Sequence, residues 1–166
     1  MRLVDTVWFN AVWFQATWFC CVIGREAWLP VALLSLALHF ALVGDRIAEL
    51  RRLWPIAAIG IAVDVVLTLA GVFVFEAVFI VPMWLVALWW VFAAALYRSF
   101  AKIGQSLWLA AVLGGIAVPL NYRVGAGLGA VSLPYGELMS LTVLVAVWSL
   151  LLPLLYWVSQ RLSAPA

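Results

Sequence analysis

Residues 7 to 24, VWFNAVWFQATWFCCVIG, form an apolar run without a charge, long enough to cross a bilayer. A hydrocarbon core about 30 Å thick takes roughly 20 such residues as a helix. Lipid offers the backbone no hydrogen bonds, so a helix must satisfy its own. The chain as a whole has this character. It is 69% hydrophobic and 10% charged, with mean hydropathy +1.20, whereas soluble domains sit near half apolar and a quarter charged. A soluble core in 166 residues could not hide that much apolar surface. The expected fold class is all-α: a polytopic integral membrane protein with six transmembrane helices, residues 1–166 forming a single helical-bundle domain. Residues 1–24 lack a small-x-small cleavage site and carry a long aromatic run, so they are expected to stay as the first helix.

Punctuation in the sequence sets six expected helices: Val4–Gly24, Ala27–Gly44, Leu53–Phe75, Val81–Arg98, Ser106–Val131 and Glu137–Val158. GREAWLP separates the first two. GDRIAELRRLWP separates the second and third, with Pro55 in a first turn, where proline is tolerated. The fifth holds Pro119 and the glycines Gly114, Gly115, Gly125, Gly127 and Gly129, a composition that allows a kink or break. Five crossings remain should the first or the fifth not be one.

Arg2, Arg46, Arg51, Arg52, Arg98, Lys102 and Arg161 fall on one side of this arrangement, and Arg25 alone falls in a loop on the other. The positive-inside rule then makes both termini cytoplasmic. The same scatter over short loops argues against a nucleic-acid partner, which needs a basic stripe. Cys20 and Cys21 are adjacent and point about 100° apart on a helix. They read as small apolar fillers, not as a disulfide framework or metal ligands.

The polar residues inside the apolar runs are the candidate site. At about 1.5 Å rise per residue, Asn10 (~9 Å) matches His39 (~8 Å) in depth, and Gln15 (~16 Å) matches Asp64 (~16 Å) near the midplane. Gln15, Asp64, Asn10 and His39 therefore form a candidate polar midplane cluster. Asn10, Phe14, Thr17 and Cys21 share one face of the first helix, and Gln15 lies nearly opposite with Trp8 and Phe19. That division implies a central helix with neighbours on two sides. Ala57, Gly60, Asp64, Thr68 and Gly71 share a stripe whose small residues admit another backbone. An ionisable group at such depth is a functional-site hypothesis by default. Asn121, Tyr122 and Arg123 form a second candidate polar site in the outer half. Arg123 at ~26 Å stands ~10 Å from the level of Asp64, so snorkelling outward, or binding an anionic lipid headgroup, suits it better than an ion pair with Asp64. Gly125 and Gly129 read as a helix-packing face. Ser35, Ser140 and Ser149 have no histidine at matching depth for a hydrolase triad, and the single His39 gives no metal-ligand spacing. No catalytic, metal or cofactor residues are assigned.

The order FNAVWFQATWFCCVIG, GIAVDVVLTLAGVFVF, PMWLVALWWVFAAAL, GGIAVPLNYRVGAGLGAVSLP and WSLLLPLLY resembles, nearly end to end, an uncharacterised family of bacterial inner-membrane proteins, DUF2878. The most specific parts are Asn10, Gln15, Trp18 and Phe19, the block from Asp64 to Gly71, and the run of Tyr122, Gly125, Leu128, Gly129 and Ala130. The family places a basic residue at the position of Gly127. Here Arg123 stands one turn earlier on nearly the same face. The resemblance implies a multi-pass protein of the bacterial inner membrane without an established activity. It also implies that members are encoded among lipid-modifying genes, such as cyclopropane-fatty-acid-synthase-like ones. The expected partners are membrane lipids, and lipid-modifying enzymes or other membrane proteins. Three functions are compatible with these residues: a non-enzymatic accessory or scaffold for lipid or envelope modification, a small-molecule or lipid translocator using Asp64, and an intramembrane lipid-modifying enzyme. The third lacks the second positioned titrating group that acid–base work needs.

Overall fold

A computed structural model describes residues 3 to 163; Arg2 lies outside them. The described chain is all-α: α1 (Val7–Gly24), α2 (Leu29–Leu42), α3 (Arg46–Leu69), α4 (Met83–Leu96), α5 (Leu107–Gly127) and α6 (Glu137–Ser163). The first two are arms of one helical run, Val7–Leu42. It reverses at Arg25, whose φ of 49° lies in the left-handed region. Trp13 Nε1 then donates to Ser35 Oγ (2.6 Å), and the Trp13 indole stacks on His39 (4.9 Å). With this run counted once, the described residues hold five helical units. Val7–Leu42, α3, α5 and α6 are long and apolar enough to cross a membrane, and α4 is a shorter apolar helix.

Helix bounds depart from the sequence reading where capping decides. Asp45 Oδ1 accepts from the N–H groups of Ile47 and Ala48, each at 3.0 Å. This N-cap starts α3 at Arg46 rather than Leu53, and Pro55 lies inside the helix, not in its first turn. α5 is continuous through Pro119. α3 and α5 end alike, on Gly71 (φ 73°) and Gly129 (φ 72°). In each case the glycine N–H and the next N–H return to carbonyls of the last turn: Gly71 to Thr68 and Val72 to Leu67, Gly129 to Ala126 and Ala130 to Gly125. Glycine tolerates the positive φ this cap requires. Gly129 is thus a cap, not part of a packing face. The two loops that follow pair through an antiparallel bridge between Val74 and Ser132 and close one end of the bundle. The other end, the basic end, carries Arg46, Arg51, Arg52, Arg98, Lys102 and Arg161.

α4 is the buried axis, packed by α1, α2 and α3. Trp84, Leu85, Leu88, Trp89 and Val91 are all buried on it, as suits a helix apolar all round. α1 does not have the central place its two polar faces implied. Asn10, Thr17, Trp18 and Cys21 are buried, while Trp8, Val12, Gln15 and Phe19 are exposed. α5 and α6 pack along each other. A Cβ at Gly114 would overlap the carbonyl oxygen of Trp148, and one at Gly115 the Ser149 hydroxyl. A backbone carbonyl cannot yield without parting the helices. Gly114→Leu is therefore expected to lower stability by about 3 kcal/mol, the upper range for overpacking, measured as the shift in an unfolding titration in mixed micelles. An unchanged midpoint would mean α5 and α6 do not meet there.

Candidate functional site

The buried face of α3 reads Glu49, Leu53, Ile56, Ala57, Gly60, Asp64 and Leu67, a helical stripe at three- and four-residue steps. It carries two acids, and each organises a polar cluster.

Asp64 is wholly buried. Its Oδ2 accepts from Trp89 Nε1 (2.7 Å) and its Oδ1 from the Tyr122 hydroxyl (2.8 Å). The triad ties α3 to α4 and α5. Gly60, one turn before Asp64, leaves the space that the Trp89 ring fills. Small residues on the α3 stripe thus admit an indole, where a second backbone was expected. Trp89 stacks in parallel on Trp148 at 5.6 Å, and Tyr122 stacks on Phe73 at 4.9 Å. Asp64 stands less than two turns before Leu69, the end of α3. It belongs to the half of the bundle away from the basic end, not to its middle.

A cavity of about 120 Å³ adjoins the triad. Its walls are almost entirely apolar and aromatic: Phe14 and Trp18 of α1, Trp84 and Trp89 of α4, Val118 of α5 and Trp148 of α6 among them, with Asp64 and Tyr122 in one wall. The lining residues that are not fully buried are Phe14 on α1, Phe75 on the loop after α3, Phe92 on α4, and Val118, Asn121 and Tyr122 on α5, of which Asn121 is the exposed one. α1 and α5 both line the cavity without extensive backbone approach to each other, which leaves a gap between them beside Phe14, Val118 and Asn121. An engineered apolar cavity of 150 Å³ holds benzene. This one has room for a ring or a short stretch of hydrocarbon chain.

Glu49 organises the second cluster, at the basic end. It accepts from His39 Nε2 (2.8 Å), Arg98 Nη1 (2.8 Å) and Arg98 Nη2 (3.0 Å). Asp5 lies 3.5 Å from Arg98 Nε. The bidentate pair locks α3 to the end of α4, and His39 brings in α2. Beside it, Asn10 Oδ1 accepts from the Ser99 hydroxyl at 2.8 Å.

The candidate residues are therefore sorted differently from their expected depths. Asn10 and His39 share the basic end but have separate partners. Gln15 is exposed on α1 and does not meet Asp64. Tyr122 is brought to Asp64, joining the two candidate groups. Asn121 is exposed and bonds the Ala117 carbonyl of its own helix at 3.1 Å. Arg123 turns away from Asp64 to Glu137 (2.6 Å, both more than half exposed). Such surface pairs are worth about 0–1 kcal/mol. Sequence reasoning missed Trp89 as the partner of Asp64 and missed Glu49, and it read Arg98 only as a topology signal. The signal for Glu49 was its place on the same stripe as Asp64, visible once Asp45 is read as an N-cap.

A family model described as "Protein of unknown function (DUF2878)" matches residues 7–154. The chain belongs to that family. No curated protein and no solved structure is significantly similar to it.

Proposed function

We propose that this DUF2878 protein is a lipid-binding accessory of the bacterial inner membrane, which takes part of a lipid chain from the bilayer through the gap between α1 and α5. In this reading the chain crosses six times, with both termini and the basic end cytoplasmic. The excess of Arg and Lys at that end supports the orientation. The aromatic cavity beside that gap carries the proposal. At membrane depth, the molecules that reach such a gap are lipids. The chain segment sits against Trp18, Trp84 and Trp148 while the rest of the lipid stays in the bilayer. An accessory of this kind would present its lipid to a modifying enzyme.

Two observations favour binding over chemistry or translocation. Both Asp64 oxygens are engaged by donors from neighbouring helices, which suits a brace holding the cavity open. Among the described residues, the Glu49, Arg98 and His39 cluster ties α2, α3 and α4 together at the basic end, which suits a closed end better than a polar path from the cavity. The test is to fill it. Val118→Trp is expected to cut lipid co-purifying with the protein at least about tenfold, equivalent to about 1.4 kcal/mol, with helicity by circular dichroism unchanged. Native mass spectrometry reads the retained lipid. A folded variant that keeps its lipid would overturn the reading.

A further inference from the structure

We infer that the lipid is a zwitterionic phospholipid with a primary ammonium, of the phosphoethanolamine class, whose headgroup sits in a second cavity that shares wall residues with the first. This rests on the lipid-binding reading above. The second cavity, of about 400 Å³, lies at the end opposite the basic residues and is lined by Arg25, Glu26, Glu76 and Gly129. It shares Phe75, Trp84 and Ala130 with the aromatic cavity. An apolar cavity that shares its walls with a charged one fits an amphipathic ligand, chain in the first and headgroup in the second.

The charges select among headgroups. Arg25 Nη2 donates to the Leu128 carbonyl at 3.1 Å, which holds the guanidinium at the rim with other N–H donors left for a phosphate. Glu26 Oε1 accepts from the Met83 N–H at 2.8 Å, which fixes its carboxylate beside the start of α4. Glu76 is exposed on the loop after α3. One cation and two carboxylates repel a headgroup of net negative charge. A phosphate near Arg25 with an ammonium reaching Glu76 and Glu26 satisfies both signs. A primary ammonium donates hydrogen bonds to the carboxylates, which a quaternary one cannot.

The experiment incubates the full chain in detergent with an equimolar mixture of phosphatidylethanolamine, phosphatidylglycerol and phosphatidylcholine of identical acyl chains, and counts bound lipid by native mass spectrometry. Wild type is expected to retain phosphatidylethanolamine over phosphatidylglycerol by at least about fivefold, the scale of one exposed ion pair. Glu76→Gln, on an exposed loop, is expected to bring that ratio below about twofold with total lipid little changed. Arg25→Gln is expected to lower retention of all three, because each carries the phosphate. Equal retention of the three headgroups, preference for phosphatidylglycerol, or an unchanged ratio in Glu76→Gln would overturn the headgroup assignment while leaving chain binding standing. No bound lipid of any class would instead remove the lipid-binding reading beneath it.

Discussion

Glu49→Ala is expected to destabilise the protein by about 3–5 kcal/mol, the range for breaking a buried ion pair by removing one partner. Glu49 is 6% exposed, and the Arg98 side chain only 12%. Without Glu49, the guanidinium keeps, among the described residues, Asp5 at 3.5 Å and the Ala94 carbonyl at 3.4 Å. His39 loses its acceptor at the same time. The damage spreads because the cluster joins α2, α3 and α4. Glu49→Gln retains an acceptor oxygen and should lose clearly less. Unfolding titrations of the two variants in mixed micelles separate these outcomes. An alanine variant as stable as wild type would mean the cluster is solvated and does not hold the basic end together.

Asp64→Ala should follow closely, at about 2–4 kcal/mol. It leaves two buried donors, Trp89 Nε1 and the Tyr122 hydroxyl, without acceptors, each costing about 1–3 kcal/mol. Helix-to-helix hydrogen bonds in membranes average less than that, which keeps the sum below its ceiling. Asp64→Asn should lose about 1 kcal/mol or less. Its oxygen still accepts from Trp89, and its amide can donate to the Tyr122 oxygen. A brace predicts this order, with lipid retention largely kept in Asp64→Asn. A proton carrier or general acid predicts a stable Asp64→Asn without function. Asp64→Ala equal in stability to wild type would remove the brace.

The all-α class, the apolar segments and the turn of Arg123 away from Asp64 were legible because they depend on composition and spacing. The partner of Asp64 was not, for a specific physical reason. Beginning the third helix at Leu53 puts Asp64 ~16 Å along it, level with Gln15; beginning it at Arg46 puts Asp64 ~27 Å along, near Tyr122 at ~23 Å along α5. One overlooked N-cap, Asp45, moved the acid to the wrong level. The capping signal was in the sequence, since IAELRRL after an Asp is an ordinary helix start. Gln15 shows a different limit. Depth along a helix says nothing about which side faces a neighbour, and two opposed polar residues on α1 did not imply two neighbours. Nor could Trp89 have been chosen from eleven tryptophans without knowing that α4 is the axis and that Gly60 makes room for its ring. Loop pairing was equally hidden. Gly71 and Gly129 are matching caps, but only the folded chain brings Val74 and Ser132 together.

The central claim is that a lipid chain occupies the aromatic cavity, and photo-crosslinking tests it most directly. The full chain in nanodiscs would be irradiated with a phospholipid carrying a diazirine midway along one acyl chain, and the adducts mapped by peptide mass spectrometry. The expected adducts lie on cavity-lining residues, Trp18, Trp148 and Tyr122 foremost, and disappear in Val118→Trp. Adducts confined to the exposed residues Val12, Phe19 and Leu120, unchanged by Val118→Trp, would contradict the claim: the lipid would then only surround the bundle.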